Sequence, residues 1–265
     1  MSTNSVNKDD LIKGFWQSQA ETHGTSASAS WGDNYMIDLE IDLISTYLKD
    51  GDKVLDVGCA NGHATFIQHK NHDLASIDGV DYAENMIAQA QIAKQELGLG
   101  ADIKFADGDV RALTFEDNSF DVVYTTRVLI NLPTWAEQKQ GIDECLRVVK
   151  AGGTVVLCEG FREPMDLLNA MRTLKDLPPL VEHEFNKYLG LADTKAYVRD
   201  LGHQFDVIDF SSIYYLGSRF LRELVTNPND YPGYSNPING IFHSIEQQFS
   251  GGGFGIQQAV IIKPT

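Results

Sequence analysis

The stretch Val54–Gly62, VLDVGCANG, carries an apolar run ending in an acid, Asp56, into a turn of small residues between Gly58 and Gly62. Such a turn after a buried strand exposes backbone N–H groups at the start of a helix and lets a ligand come close to the chain. That suits a nucleotide-like or sulfonium-bearing ligand, although tight strand-to-helix turns also use glycine for steric reasons alone. Asp81 closes the next apolar run in GVDYAENMI, 23 residues after Gly58. A carboxylate there can accept both hydroxyls of a ribose, or it can cap the helix that follows. In ADGDVRAL, Asp109 can take the exocyclic amine of an adenine while Val110 covers the ring; a solvated turn is the plainer reading. NSFDVVYTTRVLINLP then brings Thr125 and Thr126 to the end of a fourth run beside the same place.

Residues so spaced must be positioned by an alternation of strands and helices. KVLDV, LASIDGVD, DIKFAD, FDVVYT and GGTVVLCE predict strands. HATFIQHK, AENMIAQAQIAKQEL and TWAEQKQGIDECLRVVK predict the helices between them. This βαβα rhythm implies an α/β fold with a mostly parallel sheet and helices on both faces, with ligands outside the carboxyl ends of the strands. Upstream, DNYMIDLEIDLISTYLKDG predicts a helix with Asp33 as N-cap and Gly51 beyond its end. Residues 1–32 are polar, and HGTSASASWG around His23 predicts a loop that folds over the cleft as a lid. After Glu159 the segment Pro164–Leu201 reads as mostly helical and FDVIDFSSIYYL as a strand. The turn-rich TNPNDYPGYSNPING, a short helix at Ile241–Phe249 and a last strand, GIQQAVIIKP, follow. The whole chain, 1–265, is expected to be one domain: residues 1–50 lid and helix, 51–160 cofactor-binding core, 161–250 substrate-region decoration, 251–265 final strand.

Lys and Arg number 21 against 37 Asp and Glu, a net charge of −16. A field of that sign repels phosphate backbones and anionic lipid, so neither nucleic acid nor a membrane is expected as partner. Three scattered cysteines are no disulfide framework and fit a reducing, cytoplasmic setting. MSTNSVNKDD has no leader-like apolar run, and no window approaches a membrane span. His63, His69 and His72 lack companion cysteines and read as solvated helix residues, so no metal is expected. Cys59, without a neighbouring base in sequence, reads as a packing residue.

Taken together with RVVKAGGTVVLCE, these motifs resemble the class I S-adenosylmethionine-dependent methyltransferases from Lys53 to Glu159. The resemblance implies a Rossmann-like, seven-stranded, mostly parallel sheet and S-adenosyl-L-methionine as cofactor. On its terms Asp56, Gly58 and Gly62 lie near the methionine moiety, Asp81 matches the ribose acid, Asp109 and Val110 match the adenine site, and Thr125 borders the cleft. Ala60 departs from the family, which often has glycine there, and should narrow the turn without closing the site. RVLINLP, LLNAMR, NKYLG and YYLGSRF resemble a branch linked to bacterial sugar or surface-polysaccharide decoration.

The implied activity is methyl transfer to a small-molecule acceptor: a sugar, a phosphorylated sugar or another anionic metabolite. A hydroxyl acceptor needs a base; His23, Glu159 and His183 are candidates, with His183 and Glu159 preferred as catalytic residues. His23, Tyr35, Arg127, Asn131, Arg172 and Arg219 are candidate acceptor contacts. The three arginines suit an anionic acceptor if they converge, and structural ion pairs if they do not. An NAD-dependent oxidoreductase shares the strand–glycine–helix logic but needs a G-x-G-x-x-G spacing absent here, and leaves Asp109–Val110 without a purpose. A non-catalytic cofactor-binding protein is the remaining alternative. Composition and motifs leave the oligomeric state open.

Overall fold

The protein is described by a computed structural model covering residues 8–227, 230–231 and 233–265. Most of MSTNSVNKDD and part of the turn-rich loop therefore lie outside the described residues.

Seven strands form one sheet: β1 Lys53–Val57, β2 Ser76–Asp81, β3 Ile103–Asp107, β4 Phe120–Thr126, β5 Val149–Gly160, β6 Gln204–Ile208 and β7 Gln257–Lys263. Their order is β3-β2-β1-β4-β5-β7-β6. The first five run parallel, and β7 enters antiparallel between β5 and β6. The helices are α1 Lys8–His23, α2 Asn34–Ser45, α3 His63–Asn71, α4 Glu84–Glu96, α5 Trp135–Val148, α6 Arg162–Thr173, α7 Leu191–Asp200, α8 Ser212–Leu216, α9 Arg222–Val225 and α10 Ile238–Glu246. A π-helical turn, Gly217–Leu221, links α8 to α9.

Strand residues alternate between faces, and here both faces are covered. Val54 packs with Met36, Ile77 and Tyr124 on one side, while Leu55 joins Val123, Ile142 and Leu157 on the other. Helix starts follow the side chains that satisfy free N–H groups. Asp33 accepts from Met36 N at 3.4 Å to open α2. Thr134 accepts from Glu137 N at 3.2 Å to open α5.

The structure departs from the sequence reading in three segments. α1 occupies the stretch read only as polar; its stripe Ile12, Trp16 and Ala20 recurs every four residues and turns inward. FDVIDFSSIYYL is a strand only to Ile208. Its aromatic second half is helix α8, because the Glu246 carboxylate accepts Tyr214 N at 2.8 Å and Tyr214 and Tyr215 pack into the core. Pro164–Leu201 is helical at its two ends, as α6 and α7, with irregular chain between.

Candidate active site

The chain leaves β1 through Gly58, Ala60 and Gly62 with φ of 76°, 49° and 81°. Glycine is required at the first position by contact as well as conformation: a Cβ on Gly58 would lie 2.1 Å from Val128 Cγ2. Ala60 takes the left-handed conformation with a side chain, at a cost of about 1–2 kcal/mol, so the missing glycine is tolerated under strain. Four of the five N–H groups from Gly58 to Gly62 are already used. Gly58 N and Cys59 N donate to Val80 O at 2.7 and 3.0 Å, Gly62 N donates to Cys59 O at 2.9 Å, and Ala60 N donates to Asp81 Oδ2 at 2.8 Å. The turn therefore gives a ligand close approach rather than a row of donors. Such a surface fits an uncharged nucleoside better than a pyrophosphate, which would need those donors.

Asp81 also accepts Ala83 N on Oδ1 at 2.8 Å, which fixes the turn before α4; the N-cap of that helix is Ala83 and no side chain caps it, so the capping reading of Asp81 does not hold. Each carboxylate oxygen keeps a further lone pair, and this turn bond and ribose recognition are compatible. Burial pushes this carboxyl up to about 6 against those backbone donors.

One cavity of about 1190 Å³, counted out to its open mouth, lies over the carboxyl ends of the central strands. Asp56, Gly58, Asp81, Asp109, Val110, Arg127 and Asn131 all line it, as the spacing required. Gly62 shapes the turn from behind, where a Cβ would meet Phe105 and Phe66. Asp56 is buried, accepts from Thr65 Oγ1 at 2.6 Å, and is pushed up to about 7 by burial. Asp109 is clasped by Arg111 through both oxygens, 2.7 Å at the shortest. Burial opposes ionisation of Asp109, but that guanidinium outweighs it and holds the carboxyl low. Arg111 reaches Asp9 and Glu137 as well, at 3.0 and 3.1 Å.

The roof is α1 more than the predicted lid loop. Asp9, Ile12 and Trp16 face the cavity, and Lys13 and Gln17 fix the helix to Glu84 of α4 at 2.5 and 2.7 Å. HGTSASASWG is tied at its base, where Asn61 Nδ2 donates to Gly24 O and Ser26 O at 2.9 and 2.7 Å. Only its Ser30 lines the cavity.

Several expected site residues are committed elsewhere. Thr125 is fully buried and donates from Oγ1 to Glu159 at 2.7 Å; its neighbour Thr126 lines the cavity in its place. Glu159 does not face the cavity. It is fully buried and accepts, besides Thr125, the N–H groups of Val128, Leu129 and Ile130 at 3.1, 3.1 and 3.3 Å. Its role is to hold the turn after β4, and burial pushes it up to about 7. His183 is exposed, stacked against Phe15 and Phe185 at 5.5 and 4.2 Å, outside the cavity. His23 is exposed at the end of α1. Tyr35 borders a separate surface cleft with Asp38 and Tyr234.

The arginines do not converge. Arg172 is buried, donating to Pro178 O at 2.8 Å and to Arg219 O. Arg219 pairs with the buried Asp33 and lies among the rings of Tyr214, Tyr215 and Tyr234. Arg127 alone of the three reaches the cavity, and there it pairs with Glu40 at 3.0 Å. Glu40 and His63 are among the cavity residues that escaped the sequence reading. Glu40, in the middle of DLEIDL, looks like a solvated helix position yet is buried. His63, grouped with the solvated histidines, opens α3 at the cavity wall. His69 and His72 do sit outside, bonded to Asp102 and Ser45. Among the described residues no group of three or more His, Cys, Asp or Glu is placed to hold a metal ion.

A family described as a methyltransferase domain matches residues 48–217, more than half of the chain. The chain belongs to this methyltransferase-domain family. Demethylmenaquinone methyltransferases of Staphylococcus aureus strains are 32% identical over 128 residues, 48% of this chain and 51% of theirs. The chain thus spans about half the length of the curated relatives it matches. Among solved structures, phosphoethanolamine N-methyltransferase 1 of Haemonchus contortus, in complex with phosphoethanolamine and S-adenosylhomocysteine, superposes with a TM-score of 0.62 at 16% identity. That match covers 97% of this chain and 49% of that one. The cyclase SpnF superposes at 0.59 and 17% identity over 100% and 99% of the two chains. One fold hosts both a methyltransferase and a cyclase, so chemistry must be argued from the site.

Proposed function

We propose that this methyltransferase-domain protein binds S-adenosyl-L-methionine over the ends of β1 to β4 and transfers its methyl group to a small-molecule acceptor. The observation that carries this reading is the turn four of whose five donors are spent. It leaves close backbone approach beside Asp81 and the Asp109–Val110 pair, which suits an adenosyl group without phosphates. When bound, the cofactor supplies an electrophilic methyl carbon. The chain's share is to seat the ribose on Asp81, cover the adenine with Val110, and exclude water beneath α1. A dinucleotide-dependent oxidoreductase would meet a turn in which Val80, Asp81 and Cys59 already occupy four of the five N–H groups.

Charge and lining guide the choice of acceptor. Asp9, Glu40, Asp56, Asp81 and Asp109 face the cavity against Arg111 and Arg127, both already paired. This balance disfavours an anion, and the aliphatic wall of Ile37, Ile41 and Ile44 disfavours a sugar. A mostly apolar acceptor fits best, and the demethylmenaquinone named for the Staphylococcus aureus relatives is a precedent for an apolar one. Three free, buried cysteines are consistent with a cytoplasmic setting. Calorimetric titration tests the cofactor: S-adenosylhomocysteine should bind and NADH should not, and the reverse result would refute the proposal.

A further inference from the structure

Glu40 has a property that the cofactor site does not explain. It is 2% exposed on α2, it faces the cavity, and no well-directed hydrogen bond reaches either of its carboxylate oxygens, although Arg127 and Gln257 stand beside it. Arg127 Nε lies 3.0 Å from Oε1, yet it too lacks a well-directed hydrogen bond, so the two charges attract without saturating each other. Arg127 is not free to swing and correct this. Its guanidinium lies over Trp31 at 4.9 Å, Nη1 donates to Ser30 O at 3.3 Å, and its backbone is held at a φ of 58°. A buried acceptor left open beside a residue in a rare backbone conformation, both on a cavity wall, marks a place where a ligand completes the bonding.

The sheet says which end of the cavity this is. Asp81 ends β2 and Arg127 follows β4, with β1 between them. At about 4.8 Å per strand the two sites are on the order of 10 Å apart. If the ribose sits on Asp81, Glu40 stands toward the far end, where the acceptor must enter.

We propose, resting on the reading above, that Glu40 takes the proton of the acceptor. The acceptor is then a small apolar molecule with a phenol-like or enol-like hydroxyl, its body against Ile37, Ile41 and Ile44. As the acceptor O–H gives its proton to a Glu40 oxygen, the oxygen lone pair forms the new O–C bond. The S–C bond breaks with its electron pair left on sulfur, and Glu40 later releases the proton to water. The products are the methyl ether, S-adenosylhomocysteine and one proton. The groups facing Glu40 are Arg127 after β4, Asp33 before α2, Gln257 of β7, Cys158 of β5 and Tyr215 of α8. Burial pushes the Glu40 carboxyl up to about 7, with Arg127 opposing, which makes its anion a useful base near neutral pH.

Phenol and anisole test this, since they differ by the hydroxyl proton that Glu40 would accept. At pH 8, with S-adenosylhomocysteine saturating, the wild-type protein should bind phenol at least tenfold tighter than anisole. Glu40→Gln should cut that preference about tenfold while S-adenosylhomocysteine affinity stays within threefold. Should Glu40→Gln fail to fold, Glu40→Asp, which keeps the charge at shorter reach, should retain part of the preference. Equal binding of the two probes, or binding of neither, overturns the proposal. So does a Glu40→Gln effect confined to S-adenosylhomocysteine affinity, or loss of the preference in His63→Gln but not in Glu40→Gln. Failure of the wild type to bind S-adenosylhomocysteine at all would instead refute the cofactor reading.

Discussion

Replacing Glu159 separates its structural role from the catalytic one its sequence position suggested. The carboxylate accepts one hydroxyl and three backbone N–H groups, between 2.7 and 3.3 Å, and is wholly enclosed. In Glu159→Ala those four donors lose their acceptor in a dry interior, at about 1–3 kcal/mol each. Relief from burying the carboxylate, and water entering the new space, offset part of that sum. The net expectation is about 3–5 kcal/mol, the usual cost of leaving buried charge-assisted bonds broken. Glu159→Gln keeps one carbonyl oxygen as acceptor and should lose about half as much. Urea unfolding, followed by fluorescence and far-ultraviolet dichroism with the slope m checked for constancy, measures this directly. S-adenosylhomocysteine affinity should fall as well, since Val128 and Asn131, at the two ends of the turn Glu159 holds, line the cavity. An Ala variant within 1 kcal/mol of wild type, inactive but fully stable, would contradict this account and return Glu159 to a proton-transfer role.

The buried acids set a pH dependence. Glu40, Asp56, Glu159 and Glu246 are all pushed up to about 7 by burial. Unfolded, such groups titrate near about 4, so between these values the folded chain holds more protons. Stability should therefore be present in full below about pH 4 and be lost as pH rises from there through 7, with Tm falling by at least about 5 °C between pH 5 and pH 8; a flat or rising Tm would contradict it. Gly58→Ala places a methyl into Val128 at left-handed φ. It should cost about 1–3 kcal/mol and weaken S-adenosylhomocysteine binding; Val128→Ala in the same chain should restore part of the stability, and no restoration would mean that backbone strain alone is responsible.

Legibility followed from how local each constraint is. The Val54–Gly62 turn, Asp81 and Asp109–Val110 were readable because a tight turn and the strand ends beside it dictate residue types within a few positions. The central strands β1, β4 and β5 were readable because burial on both faces leaves nearly continuous apolar runs, and β2 and β3 from alternating ones. Glu159, Arg172 and Arg219 were not, since partners that commit them lie far off in sequence: Thr125 is 34 residues from Glu159, Arg219 is 47 from Arg172, and Asp33, 186 residues from Arg219, already consumes that charge. Glu40 sits among charged neighbours in DLEIDL, and only the tertiary packing that brings Arg127, Cys158 and Gln257 beside it shows it to be buried. In SSIYYL aromatic residues favour a strand by propensity, and the Glu246 cap overrides them. For α1 the signal was present in the Ile12, Trp16, Ala20 spacing, hidden by polar residues around it.

The central claim, that the cavity seats an adenosyl group with its ribose on Asp81, is tested most directly by titrating S-adenosylhomocysteine into wild type and Asp81→Asn. The measurement belongs at pH 8, above the value of about 6 to which burial raises this carboxyl. Two charge-assisted hydrogen bonds of about 1.5–3 kcal/mol each become neutral ones in the variant. At 1.4 kcal/mol per tenfold, the account predicts affinity weaker by a factor on the order of ten to a thousand. Unchanged affinity in a variant that melts like wild type would contradict it.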